Sequence, residues 1–179
     1  LILNYVSQNV SCFGAGDGSI TVTPQGGTSP YSYFWNTGSA NATINNLAPG
    51  FYSVTVIDAN SCIAELSLNI TQPYPLAMNI SDVAITANLY NGYSVACAGD
   101  ETGSITSSVL GGTPPYSYNW SNGDTTETIS DLAVGLYFLT LTDVNGCSAI
   151  DSLEITAPEL LLGTTAVSTD YNGEDVSCN

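Results

Sequence analysis

One stretch of this chain occurs twice, first as Gly26-Gly27-Thr28-Ser29-Pro30-Tyr31-Ser32-Tyr33-Phe34-Trp35 and again as Gly111-Gly112-Thr113-Pro114-Pro115-Tyr116-Ser117-Tyr118-Asn119-Trp120. Each copy consists of a Gly-Gly turn, a proline and a short aromatic strand. Side chains alternate along a strand, so Tyr31, Tyr33 and Trp35 share one face. The second copy keeps these three aromatics but has Asn119 in place of Phe34. We therefore predict that the face with the three aromatics is core and that the opposite face is solvated.

The repetition extends far beyond this stretch. Val10–Pro73 aligns without a gap with Val95–Pro158, and half of the aligned positions are identical. A third copy begins near Tyr171 and reaches Cys178 through the same short motif that precedes Cys97. We expect a segment of a tandem array with these domains: a first repeat over 1–73 that lacks its beginning, a second repeat over 74–158, and the start of a third repeat over 159–179.

The composition restricts the chemistry of the chain. Among 179 residues there is no Lys, Arg or His, and 16 Asp and Glu give a formal net charge of -16. Without cations the chain cannot neutralise phosphates, so we expect no nucleic-acid partner and no attraction to anionic membranes. Histidine-dependent triads, P-loop lysines and Schiff bases are excluded as well. We therefore predict that the protein is not an enzyme and has no catalytic residue.

Short alternating segments with frequent turn signals predict an all-β fold. Gly18–Pro24 and Phe51–Asp58 alternate apolar and polar residues, and no segment shows a clear helical period. Leu47–Tyr52 and its copy Leu132–Tyr137 have the pattern of a tyrosine corner, in which a Tyr hydroxyl bonds the preceding turn. The alternative is that both tyrosines are ordinary core residues. The pattern favours tandem immunoglobulin-like β-sandwich domains.

The five cysteines follow the same repeat. Because Cys62 follows Cys12 at the same separation at which Cys147 follows Cys97, we predict one disulfide per domain, Cys12–Cys62 and Cys97–Cys147. Cys178 would then pair outside this sequence. Such cross-links are typical of small domains in oxidising compartments. The alternatives are inert buried thiols or metal ligation, although neither pair forms a Cys-x-x-Cys knuckle.

With these motifs in view, the chain resembles the SprB repeat family. Both copies carry Gly-Ser-Ile-Thr, Gly-Gly-Thr-x-Pro-Tyr-Ser-Tyr-x-Trp, Leu-Ala-x-Gly-x-Tyr and Asp-x-Asn-x-Cys, in that order. Ser61 replaces the glycine of the second copy, and Thr102 replaces the aspartate of the first. The resemblance implies a large extracellular adhesin on the surface of gliding Bacteroidota, exported by the type IX system.

The acidic residues are the natural place to look for a cation. Three clusters could supply oxygens to Ca²⁺: Asp58 with Asn60, Asp143 with Asn145, and Asp100 with Glu101. None has the spacing of an EF-hand loop, and Asp and Asn in such turns commonly stabilise the turn itself. We therefore predict no metal site and no cofactor, with Ca²⁺ as the alternative.

Two further kinds of surface site follow from short patterns. Asp124-Thr125-Thr126 and Asp151-Ser152-Leu153 resemble the Bacteroidota O-glycosylation pattern, which makes Thr125 and Ser152 candidate acceptors. Exposed aromatics could stack on sugars, but the candidates do not recur as aromatics in the other copy: Phe34, Phe51, Tyr74 and Phe138.

These observations predict a structural or adhesive repeat module at the extracellular cell surface, with a role in gliding motility. The expected partners are neighbouring repeats of the same chain, surface polysaccharide or other fibre chains. One alternative is a carbohydrate-binding module. The other is a subunit of an extracellular filament that assembles through sandwich edges.

Overall fold

The computed structural model describes residues 1–83, 90 and 92–160. They form two compact units. The first comprises Leu1–Ala77, Leu110–Tyr116 and Thr142–Ser148, and the second comprises the other described residues. The first unit thus includes two turns of the second repeat. Most of the predicted third repeat, including Cys178, lies outside the described residues.

The first repeat folds into two antiparallel three-stranded sheets. Their orders are β1-β2-β4 and β3-β5-β6. The strands are β1 (Ile2–Gln8), β2 (Gly18–Gln25), β3 (Ser32–Trp35), β4 (Thr43–Leu47), β5 (Gly50–Ile57) and β6 (Ile63–Ile70). Alternation along β2 and β5 places every second residue between the sheets, as a sandwich requires.

The core of the first sandwich lies on the predicted faces. Ile20 of β2 and Val56 of β5 are fully buried, and Trp35 is 5% exposed. Phe34, one residue earlier, is 58% exposed. The Trp35 indole donates to the Asn41 carbonyl at 2.8 Å, so its one polar group is paired. The predicted aromatic core face is confirmed.

The second repeat builds an equivalent pair of sheets. Their orders are β10-β8-β7 and β12-β11-β9. The strands are β7 (Ala77–Asp82), β8 (Gly103–Leu110), β9 (Tyr116–Trp120), β10 (Thr128–Leu132), β11 (Gly135–Asp143) and β12 (Ser148–Ile155). Trp120, Ile105 and Leu139 are buried, whereas Asn119 is exposed. The prediction of tandem all-β, immunoglobulin-like sandwiches is confirmed.

Both tyrosine corners are present. The Tyr52 hydroxyl donates to the Ala48 carbonyl at 2.8 Å, and the Tyr137 hydroxyl donates to Ala133 at 3.1 Å. Each bond ties the start of a strand to the turn before it.

Removing one corner hydroxyl should have a small effect on stability. We expect Tyr52→Phe to lower the free energy of unfolding by about 1 kcal/mol, because one hydrogen bond is lost while the ring stays in place. Urea titration measures this loss. The matched control is Tyr74→Phe, since Tyr74 is 83% exposed. Equal midpoints for the two variants would contradict a stabilising corner.

The strand directions place Cys12 and Cys62 at opposite ends of the first sandwich. β6 begins just after Cys62 and ends beside the Cys12 loop, where the Val10 N–H donates to the Thr71 carbonyl at 2.9 Å. A strand of eight residues spans about 26 Å. Disulfide-bonded cysteines have Cα atoms within about 7 Å. The predicted Cys12–Cys62 disulfide is therefore wrong.

Candidate functional site

Cys12 forms its disulfide with Cys147 of the second repeat. The two Cα atoms are 5.7 Å apart, and the bond closes a sequence separation of 135 residues. The predicted Cys97–Cys147 pair is consequently also wrong. Cys62, the equivalent of Cys147, is exposed and forms no disulfide with another described residue. All groups around the Cys12–Cys147 bond belong to the first unit, and we call them the repeat junction: Ser11–Phe13, Tyr74–Leu76, Gly111–Thr113 and Asp143–Ser148.

The turn that carries Cys147 is organised by one carboxylate. Asp143 Oδ1 accepts the backbone N–H groups of Asn145 and Cys147, both at 2.9 Å. Its Oδ2 accepts the N–H of Thr113, also at 2.9 Å. Asp143 is 5% exposed. With three backbone donors on one carboxylate, Asp143 fixes both the turn before Cys147 and the neighbouring Gly-Gly turn.

The first repeat has the same arrangement around Asp58. Asp58 Oδ1 accepts the N–H groups of Asn60 at 2.9 Å and Cys62 at 2.7 Å, and Oδ2 accepts that of Thr28 at 2.9 Å. Hydrogen bonds from the backbone N–H of Cys62, and then from Thr28, hold the pKa of Asp58 below its usual value. These carboxylates therefore act as turn anchors.

Asp58 should make part of the stability of the first unit depend on pH. Because its pKa is lower in the folded state, its contribution is complete above the unfolded pKa of about 3.9 and is lost as pH falls through the folded pKa. Denaturation midpoints of the wild type and Asp58→Asn should differ at pH 6 and converge as the pH approaches 2. A difference that stays constant from pH 6 to pH 2 would contradict this assignment.

The Cys12 loop contacts the Asp143 turn through more than the disulfide. The Asn145 side-chain amide donates to the Ser11 carbonyl at 3.0 Å, and Cys147 Sγ lies 3.5 Å from the same oxygen. The loop is held in turn by Asp17, whose Oδ1 accepts the Ser11 N–H at 3.0 Å. Hydrogen bonds from Ser11 keep the pKa of Asp17 low. Asp17 thus fixes the backbone of the loop that contacts the Asp143 turn.

The Gly-Gly turn of the second repeat contacts the segment that connects the two repeats, Tyr74–Leu76. The Gly112 N–H donates to the Tyr74 carbonyl at 3.0 Å. Gly111 has φ 65°, and a Cβ atom there would collide with the Pro75 carbonyl oxygen. Both the backbone conformation and the close approach require glycine at this position. A cavity of about 370 Å³ lies beside the disulfide and is lined by Cys12, Phe13, Pro75, Leu76, Cys147 and Ser148. The two lining cysteines do not titrate because they are bonded to each other.

The remaining predicted sites are dispersed. Asp100 Oδ2 accepts the backbone N–H of Cys97 at 3.0 Å, and the described residues contain no group of three or more His, Cys, Asp or Glu side chains that could hold a metal. Thr125 and Ser152 are both exposed, and their glycosylation stays a prediction. The four candidate aromatics are exposed: Phe34, Phe51, Tyr74 and Phe138.

The Asp-x-Asn-x-Cys turn could be recognised from the sequence, but its bond to the Cys12 loop could not. Both the turn and the Cys12 loop recur in each copy, so a bond from the loop of one copy to the turn of the next was consistent with the sequence. The sequence did not show at which end of the sandwich the cysteine turn and the Cys12 loop lie.

Among residues 1–83, 90 and 92–160, the structure contains no helix with the length and hydrophobicity needed to span a membrane.

The chain aligns with several solved structures at low sequence identity. No curated protein sequence matches it significantly. A crystal structure of a C-terminal 282-residue fragment of intimin, in complex with the intimin-binding domain of the translocated intimin receptor, aligns with a TM-score of 0.47 and 12% identity, over 88% of this chain and 64% of that chain. Dpr11 Ig1 bound to DIP-gamma aligns with a TM-score of 0.33 and 12% identity, over 89% of this chain and 100% of that chain.

The family comparison is more specific than these structural alignments. The model of the SprB repeat matches residues 4–40 and 93–125, once in each internal copy. The matched segments include both Gly-Gly turns, both aromatic strands, and the loops that carry Cys12 and Cys97. The predicted resemblance to the SprB repeat family is thereby confirmed over these two segments.

Proposed function

We propose that this chain is a structural segment of an extracellular surface adhesin and resists extension under force. The observation that carries the proposal is the repeat junction, where a disulfide fastens a loop of one repeat to a turn of the next. When the two ends are pulled, the force passes through the disulfide and not through the chain between its cysteines. The bond, which closes a sequence separation of 135 residues, therefore prevents that segment from extending. This property suits a spacer that holds an adhesive region away from the cell.

Several features support a non-enzymatic role. The chain has no cationic side chain or histidine. Its two most buried turn carboxylates, Asp58 and Asp143, are each occupied by three backbone N–H groups. Neighbouring repeats are the first partners under this proposal. Export by the type IX system and a role in gliding adhesion are the finer parts of the proposal, and they rest on the SprB resemblance.

A carbohydrate-binding role receives less support. Stacking platforms would be expected to recur in a repeated binding module, yet Phe34, Phe51 and Tyr74 correspond to Asn119, Leu136 and Glu159. Filament assembly through sandwich edges has no specific observation in its favour.

Single-molecule pulling on the two termini tests whether the chain resists extension under force. We expect that oxidised chains do not release the segment between Cys12 and Cys147. Adding a reductant should add roughly 450–490 Å of contour length for the 135 residues, at about 3.3–3.6 Å per residue. Cys62→Ser should behave like the wild type in both conditions. Full extension of oxidised chains would contradict the proposal. Saturable binding of the same chain on a glycan array would favour the carbohydrate-binding alternative.

A further inference from the structure

We propose that Cys62 forms a disulfide with another copy of the repeat, placed before Leu1 in a tandem array. The bonding partner is the cysteine of that copy that corresponds to Cys12. Each repeat would then be disulfide-bonded to the next one, and the Cys12–Cys147 bond would be one link of a continuous series. The inference depends on the tandem arrangement of the repeats and goes beyond the proposed function, since it holds whether or not the array binds a ligand.

The two cysteine turns have the same backbone geometry. In each, one carboxylate oxygen accepts two N–H groups of the turn and the other accepts one from the Gly-Gly turn. The corresponding distances are 2.9, 2.7 and 2.9 Å around Asp58 and 2.9, 2.9 and 2.9 Å around Asp143. Cys62 is therefore held by the same backbone frame as Cys147, which is bonded to Cys12.

The asparagine within each turn offers the same side-chain amide donor. Asn145 donates its side-chain amide to the Ser11 carbonyl of the bonded loop at 3.0 Å. Asn60 has the same backbone bond to its aspartate, but its amide donates within its own repeat, to Thr28 Oγ1 at 2.8 Å. A rotation of one exposed side chain would let Asn60 donate to an incoming loop, as Asn145 does.

The surroundings of Cys62 repeat those of Cys147. Gly27 and Gly112 both have positive φ, at 72° and 63°. A Cβ atom on Gly27 would lie 3.2 Å from Leu1, and one on Gly112 would lie 2.7 Å from Leu76. Leu1 and Leu76 therefore occupy corresponding places at the two turns. The segment that leads into Leu76 is the one that brings the Cys12-bearing repeat to Cys147.

The exposure of Cys62 argues against a role as a thiol that only packs in the core. Free cysteines that serve packing are among the most buried residues, whereas Cys62 is exposed at the tip of a hairpin. Its position is accessible to a second loop and contributes little to the core.

The bond would form by thiol–disulfide exchange with a low-molecular-weight disulfide such as oxidised glutathione. The thiolate of one cysteine attacks the glutathione disulfide and releases one reduced glutathione. The second thiolate then attacks the mixed disulfide and releases the other. Two protein thiols lose two electrons and two protons, and one glutathione disulfide becomes two thiols.

The test is a longer chain in which a second copy of residues 1–75 is placed directly before Leu1 of the full sequence. The new connection, Pro75 followed by Leu1, reproduces the natural connection of Pro75 to Leu76. The added copy carries Cys62→Ser. Any peptide that contains Cys62 therefore comes from the original first repeat and not from the added copy. The chain is refolded in a glutathione redox buffer, alkylated, and digested with pepsin for mass spectrometry.

We expect a peptide pair that joins the added copy's Cys12 to the original Cys62, and at least a tenfold loss of Cys62 alkylation relative to the 179-residue chain. The control carries Cys12→Ser in the added copy, and its Cys62 should be fully alkylated. The original Cys12–Cys147 pair, present in both chains, shows that each has folded. Full alkylation of Cys62 in the test chain, or pairing of the added Cys12 with another cysteine, would overturn the proposal.

Discussion

Replacing Cys12 with serine is expected to destabilise the first unit by about 5 kcal/mol. On the chain-entropy model, a loop of 135 residues corresponds to about 5 kcal/mol of lost denatured-state entropy at 25 °C. Cys147→Ser should have the same effect, and the double variant should match either single variant because all three remove one bond. Urea denaturation, followed by the fluorescence of buried Trp35 in a Trp120→Phe background, measures the change in the first unit.

Cys62→Ser is the matched control for this experiment. Cys62 is exposed and forms no disulfide with any residue in the described ranges, so its replacement should change stability by less than about 0.5 kcal/mol. A loss for Cys62→Ser as large as that for Cys12→Ser would contradict the pairing seen in the structure.

Replacing Asp143 with alanine is the second change with a large expected effect. It leaves the N–H groups of Thr113, Asn145 and Cys147 without their acceptor. Each unpaired donor in a partly buried turn costs about 1–3 kcal/mol, and access of water to the turn reduces the sum. We expect a loss of about 3 kcal/mol in the free energy of unfolding, measured by urea titration.

Two variants sharpen this result. Asp143→Asn keeps one carbonyl oxygen as an acceptor for the turn but cannot accept from Thr113 with its amide nitrogen, so it should recover part of the loss. Glu154→Ala removes an exposed carboxylate from the same repeat and should have almost no effect. If Asp143→Ala were as stable as Glu154→Ala, the carboxylate would not be anchoring the turn.

Much of the fold could be predicted because its signals are local. The alternation of Tyr31, Tyr33 and Trp35 depends only on the two-residue period of a strand, and the structure buries Trp35 while exposing Phe34. The tyrosine corner of Tyr52 is likewise a contact between residues four positions apart. The two internal copies also allowed core and surface positions to be told apart. Positions that keep their residue type in both copies indicated the core, and positions that vary indicated the surface.

The disulfide pairing could not be predicted in the same way because it depends on strand direction. Equal separations showed that Cys12 corresponds to Cys97 and Cys62 to Cys147, but they did not show at which end of the sandwich each lies. β3 and β4 run in the same direction in different sheets: Ser32 of β3 pairs with Ile57 at the end of β5, and Leu47 of β4 pairs with Gly18 at the start of β2. This crossover shifts the later turns to the opposite end. It separates Cys62 from Cys12 and leaves Cys12 to bond with the next repeat.

A disulfide map of the oxidised 179-residue chain decides between a bond that joins the two repeats and bonds that close each repeat separately. Trypsin has no cleavage site because Lys and Arg are absent, so we would digest with pepsin at low pH, where thiol–disulfide exchange is slow. The bond between repeats predicts a peptide pair joining Cys12 to Cys147, with Cys62 recovered in an alkylated peptide. Peptide pairs joining Cys12 to Cys62 and Cys97 to Cys147 would contradict it, since each repeat would then be closed on itself and the junction would have no covalent link.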